Sequence, residues 1–148
     1  MKSYVTFTRK GLSALLAAMI SVILICCKIY AVSNMGFNAS TNAKRLEFIR
    51  NTGYEVLSNE PETKTVAIPE DFSDVYKNYN KLQRSAGYDL SNYKGCDVVI
   101  YTYKIKTPSG YYGDCVFNMM VYNNRVIGGD VSSSALGGFM LSIKNQSE

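Results

Sequence analysis

Apolar and polar residues change their rhythm several times along the 148-residue chain, and each change predicts an element. Gly11–Cys27 is 17 residues without a charge, and beyond Lys28 the apolar character resumes through Val32. With Lys28 snorkelling to an interface, Leu12–Val32 makes 21 residues, against the ~20 that an α-helix needs to cross a bilayer core. Ser33–Ser40 reads as a short polar linker. Thr41 or Asn42 can cap a helix on which Ala43, Leu46, Ile49 and Arg50 share a face and which Gly53 ends. Tyr54–Leu57 and Lys64–Ile68 then read as short strands around the turn Asn59–Glu62.

The strongest periodicity comes next. Phe72, Val75, Tyr76, Tyr79, Leu82 and Ala86 recur at helical spacing and predict one amphipathic helix over residues 70–86. Pro69 suits its first turn, and Glu70, Asp71 and Asp74 suit the positive end of its dipole. Gly87 supplies a left-handed stop, with Tyr88 folding back as in a Schellman cap. Two polar residues break the stripe: Gln83 falls inside it and Asn80 on its margin. Each needs a partner, because an unpaired buried amide costs ~1–3 kcal/mol.

Beyond a turn over Asp89–Gly95 the period drops to two. Cys96–Lys106 alternates, with Val99, Tyr101, Tyr103 and Ile105 on one face and Val98, Ile100, Thr102 and Lys104 on the other. Thr107–Gly110 breaks it, Cys115–Tyr122 returns, and Asn123-Asn124 suits a type I′ hairpin because asparagine tolerates positive φ. Arg125–Ser132 is the last predicted strand, bulged at Gly128-Gly129. Leu136, Phe139, Met140 and Ile143 would share one face of a short closing helix. The predicted fold is α+β: an antiparallel sheet of four or five strands, packed on one side by two helices and preceded by a transmembrane helix. The organisation follows as an anchor over 1–32, a linker over 33–40, one domain over 41–143 and a tail over 144–148.

Charge sharpens the topology. The net charge is +4, but four of the 16 basic residues (Lys2, Arg9, Lys10 and Lys28) lie in the first 28 residues, where there is no acid, which leaves 12 against 12 from Ser33 onward. The basic flank places the N-terminus in the cytoplasm and the domain outside. A cleavable signal peptide is the rival, with small residues in Ala31-Val32-Ser33, but the uncharged run exceeds the ~7–15 residues of a signal core. A charge-balanced domain lacks the basic field that nucleic acid requires. Histidine and tryptophan are absent, which excludes Ser-His-Asp and Cys-His catalysis and imidazole metal sites. No CxxC occurs among the four cysteines. A hairpin around Pro108–Gly110 sets Cys115 opposite residue 103 or 104, ~20 Å from Cys96 and too far for a disulfide.

Several runs together carry a family resemblance. Gly53-Tyr54-Glu55-Val56, Ile68-Pro69-Glu70-Asp71-Phe72, Gly87-Tyr88-Asp89-Leu90, Tyr101-Thr102-Tyr103 and Val126–Val131 stand in an order that resembles domain of unknown function 4830, a family of Gram-positive bacteria. The likeness covers about residues 41–141. It implies a membrane-spanning or signal segment followed by this single domain, and it brings no activity, ligand or catalytic residue. The chain departs from the usual pattern at Gly137, where an acid is commoner, and at Ala43-Lys44, where an acidic pair usually precedes Arg45.

Candidate chemistry is sparse. Gly128-Gly129-Asp130 resembles the start of the diguanylate cyclase signature, but Val131-Ser132 follows instead of the acidic and aromatic residues that complete it. Asp71 and Asp74 form an i, i+3 carboxylate pair of the kind any helix N-terminus favours. The binding candidates are therefore Asn80, Gln83 and Asp130, beside a tyrosine-rich sheet. No catalytic residue, metal ligand or cofactor is expected. The expected function is a non-enzymatic, membrane-tethered extracytoplasmic domain that contacts an envelope protein or the cell wall. The alternative is a secreted or anchored hydrolase-like enzyme using carboxylate or Ser/Lys chemistry, for which Asp130 and a lysine would converge in a pocket.

Overall fold

The computed structural model describes residues 17–26, 36–133, 135 and 137–144. It divides into two compact units, Met1–Met35 and Gly36–Glu148. In the first, residues 17–26 are helical (α1), uncharged and exposed all round. No helix among the described residues is long and apolar enough to cross a membrane. The rest of the predicted span over 12–32, the predicted cleavage point and the tail beyond 144 lie outside the described residues.

The second unit is built on a five-stranded antiparallel sheet whose spatial order is its chain order. The strands are β1 (Glu62–Ala67), β2 (Asp97–Ile105), β3 (Cys115–Tyr122), β4 (Arg125–Ser133) and β5 (Met140–Ser142). Asn123 and Asn124 turn between β3 and β4 with φ of 46° and 61°, the type I′ geometry expected of them. The bulge falls earlier than expected. Met120 pairs with Gly128 and Val121 with Val126, so the extra residue is Ile127 and the pair Gly128-Gly129 stays in register.

The outer edges of β2 and β4 are each covered twice. β1 takes residues 97–102 of β2, and Val56 bridges Ile105 further along the same edge. Tyr54–Leu57 is thus no hairpin partner of β1. Both segments run the same way along β2, and residues 58–61 bow out between them. On β4, β5 takes residues 130–132, while an N-terminal strap takes the other end: Asn38 bridges Arg125, Ala39 N–H donates to Asn124 O (2.8 Å) and Val126 N–H to Phe37 O (3.0 Å). The strap corrects the expectation of a linker here, because Ala39 is buried and Phe37 packs on Phe48 with ring centroids 5.2 Å apart.

Helix α2 (Asn42–Asn51) is capped by Thr41, whose hydroxyl accepts from Lys44 N–H. It buries Arg45, Leu46, Phe48 and Ile49 while Ala43 and Arg50 stay exposed, so its face is rotated from the expected one. This face meets Tyr103, Ile105, Phe117, Met119 and Val131. Helix α3 (Asp74–Ser85) is shorter than the expected 70–86, because Ser73 caps it and leaves Pro69 outside its first turn. Its C-terminus is a Schellman motif: Tyr88 N–H donates to Gln83 O and Gly87 N–H to Arg84 O, both at 3.0 Å, with Gly87 at φ 88°. α3 and a 3₁₀ turn (Leu90–Tyr93) lie over Met120, Gly128 and Asp130, the opposite side chain set of the sheet. The two helices therefore sandwich the sheet and do not share one side of it, since β3 is apolar on both faces and each must be covered.

Val75, counted in the stripe, is 81% exposed, and the buried positions of α3 are Asn80 and Gln83. The closing helix is replaced by β5. Gly137 has φ of 77°, and a Cβ on Gly138 would collide with Ser133 O, so the two glycines bend the chain back onto β4. Cys115 pairs opposite Ile105, and both Cys96 and Cys115 are free.

Candidate functional site

The three candidate binding residues lie beneath α3, and all are buried. Asp130 is 4% exposed and accepts twice: from Tyr79 Oη at Oδ2 and from Asn118 Nδ2 at Oδ1, both at 2.9 Å. Asn118 Oδ1 accepts in turn from Thr102 Oγ1 at 2.8 Å, so one polar seam crosses β2, β3 and β4 and ends on α3. Burial first, and then the charge and hydrogen bond of Asp130, push the Tyr79 phenol far above its ordinary range. Gln83 is wholly buried: its Oε1 accepts from Gly129 N–H at 2.8 Å, while its Nε2 has no partner among the described residues.

Asn80 belongs to a second cluster. Its Oδ1 accepts from Leu90 N–H (2.8 Å) and its Nδ2 donates to Asp89 Oδ1 (2.9 Å). Asp89 caps the 3₁₀ turn through Ser91 and pairs with Arg84 at 2.9 Å. Desolvation raises the Asp89 pKa, but the bonds from Ser91, Asn80 and Arg84 outweigh it and hold the carboxyl well below the usual range. Asn80, Gln83 and Asp130 thus fasten α3 and the turn after it to the sheet, and they do not open onto a common cavity.

Arg45 is the buried charge that helical phase missed. Its guanidinium lies 3.8 Å over the Tyr101 ring, and it donates to Tyr103 Oη (3.0 Å) and to Ala39 O (2.9 Å). The Tyr103 hydroxyl in turn donates a hydrogen bond to Asn42 Oδ1 at 2.7 Å. This cluster ties α2 and the strap to β2. The only sequence signal for it was a basic residue at i−1 to Leu46, which is too common to single out.

A cleft of about 730 Å³ opens elsewhere, within the size range of small-ligand and peptide sites. The end of α3 (Leu82, Ser85), the loop after α2 (Gly53–Glu55), the segment after β2 (Lys106–Ser109) and β5 enclose it, with Tyr111 and Lys144 at its margins. Tyr111 stacks on Phe139 with centroids 4.1 Å apart, and its neighbour Tyr112 is 87% exposed. Lys106 Nζ is paired with Glu55 Oε2 at 3.0 Å. Lys144 has no acidic partner among the described residues. The Ser85 hydroxyl donates to Leu82 O, and no cleft hydroxyl bonds a lysine amine among the described residues. None of the three binding candidates lines this cleft; Tyr54, Lys106 and Lys144 were missed as site residues because segments distant in sequence bring them together.

An α+β domain of this kind, with an antiparallel five-strand meander between two helices and an open cleft, defines a fold class but no chemistry. The chain belongs to the family described as Domain of unknown function (DUF4830), whose profile matches residues 45–131. No curated protein and no solved structure matches it.

Proposed function

We propose that this protein is a non-enzymatic, membrane-tethered extracytoplasmic domain that binds another component of the cell envelope through the cleft. The observation that carries the reading is the division of labour among polar groups. The buried candidates Asp130, Asn80 and Gln83 are bonded to the fold, whereas the cleft offers Tyr111, Met140 and Lys144 to solvent beside the exposed Tyr112. Exposed aromatic and aliphatic side chains around a concavity suit recognition. Catalysis needs converging groups, and here Asp130 and the lysines do not converge. Tethering is supported by α1, which is uncharged and apolar around its circumference but for Ser21, whose hydroxyl bonds the helix's own backbone at Ala18 O. It is supported too by the basic residues that precede the apolar run.

The test is site-specific photo-crosslinking of the full chain in its host cells, with a benzophenone side chain at position 112 and the same probe at Val75, which is exposed on α3. A discrete adduct from position 112 and none from 75 is expected. Equal labelling from both, or none from 112, refutes the reading, as does turnover of ester, peptide or phosphate substrates by the purified protein.

A further inference from the structure

The alternation of the β4–β5 pair determines which backbone groups of β5 are free. Ser133 N–H donates to Phe139 O, so residues 133 and 139 form a hydrogen-bonded pair, and in an antiparallel ladder such pairs alternate. Leu141 therefore bonds Val131, while Met140 and Ser142 turn their N–H and C=O groups away from β4. β5 ends the sheet, and no backbone partner occupies that outer edge among the described residues. The same three residues line the cleft, together with Lys144 two positions further on. Apolar surface from Leu82 and Tyr111 completes it.

We infer that the cleft receives an extended peptide as a sixth strand on β5, with an acidic side chain of that peptide placed against Lys144. This rests on the proposed interaction role and names the partner's chemistry. Main-chain bonds to Met140 and Ser142 supply the alignment, as in other cases of strand addition to an open edge. Charge supplies the preference. Glu55 and Lys106 neutralise each other at 3.0 Å, which leaves Lys144 as the cleft charge still to be matched. β1, the opposite edge, carries its own exposed Glu62 and Lys64, which discourage pairing.

The experiment measures fluorescence anisotropy of an arrayed set of labelled hexapeptides with alternating valine and threonine against the full chain. Glutamate, glutamine or lysine is scanned through one position, and each tight binder is remade with alternate N-methyl amides. Because an exposed ion pair contributes ~0.2–1 kcal/mol, glutamate should bind about two- to fivefold better than glutamine and lysine worst. Lys144→Gln should erase that order, and N-methylation on the bonding edge should weaken binding at least about tenfold. Lys64→Gln on β1 should change nothing. Absence of binding by every peptide, indifference to N-methylation, or an unchanged order in Lys144→Gln overturns the inference. If crosslinking from position 112 still captures one partner in that case, the interaction role stands and only strand addition fails.

Discussion

Tyr79→Phe tests whether Asp130 is a sealed structural carboxylate. The substitution removes one oxygen and keeps the ring, which sits between Tyr76, at a centroid distance of 5.9 Å, and the sheet. Asp130 Oδ2 then loses its 2.9 Å donor in a place that is 4% exposed, where water cannot readily replace it. A hydrogen bond to a charged group contributes ~1.5–3 kcal/mol, and Asn118 still serves the other oxygen, so a loss of about 2 kcal/mol is expected. With a urea slope of roughly 2 kcal/mol/M for a domain of this size, the midpoint should fall by about 1 M at unchanged slope. Tyr76→Phe, one turn earlier with no hydrogen bond to its hydroxyl, should cost less than ~0.5 kcal/mol. If the two variants unfold at the same urea concentration, the seam does not hold α3. Sign and pH agree with this picture. A phenol raised by folding favours the folded state below the ordinary value of 10.0, and the advantage declines as alkali rises past it. The Tyr79→Phe deficit should therefore be flat from neutrality to about pH 9 and narrow above.

Other expectations follow from the same contacts. Asp89 has its carboxyl lowered in the fold, so its contribution is complete above the ordinary 3.8 and is lost as the pH falls below it; the stability gap between wild type and Asp89→Ala should hold from pH 7 to about 5 and close in stronger acid. Arg45→Met leaves the Ala39 carbonyl and the Tyr103 hydroxyl without their donor and the Tyr101 ring without its cation, and should cost about 3 kcal/mol in urea; Arg45→Lys should rescue little, because one ammonium cannot serve the ring and both oxygens. Val75→Asp should be silent by calorimetry, whereas Leu82→Asp, half-buried at the cleft, should cost about 1–2 kcal/mol. Cys96 and Cys115 should both alkylate in the denatured, unreduced protein; a mass lower by two hydrogens with no label would contradict the β2–β3 register.

Local chemistry carried much of the fold into the sequence. The two-residue period of β2 and β3, the asparagine turn and the glycine stop of α3 each depend on neighbours a few positions away, and each appears where expected. What failed depends on distant chain. The stripe of α3 held except at Val75, and the two polar residues placed on it are its buried ones; what spacing could not show is that the backbone of Leu90 and Gly129 offers each a bond. A polar residue with a partner buries as well as an apolar one, and sequence does not display the partner. The end of the chain failed for the opposite reason: spacing suited a helix, but β4 has an open edge and the glycine pair lets residues 140–142 reach it. The cleft was invisible because its walls come from four separated segments. Tyr111 and Tyr112, large rings in a loop, belong to no periodic element that would have placed them beside it.

The strap over Gly36–Ala39 gives the unit an unusual mechanical entry point. It grips β4 beside the β3–β4 turn, through Ala39, Phe37 and the Arg125 side chain bonded to Gly36 O, across a separation of 89 residues. Closing a loop of that length costs about 4 kcal/mol in chain entropy beyond a constant, so the strap can dock only after the meander it binds has formed. Sheet strands that neighbour one another in sequence need no such wait. Any tension delivered along the chain from its N-terminal side is therefore felt first at a late-forming clasp on β4, and not at β1 or β5. Releasing that clasp uncovers Ala39 and the rings of Phe37 and Phe48 while leaving the five-strand ladder itself hydrogen-bonded.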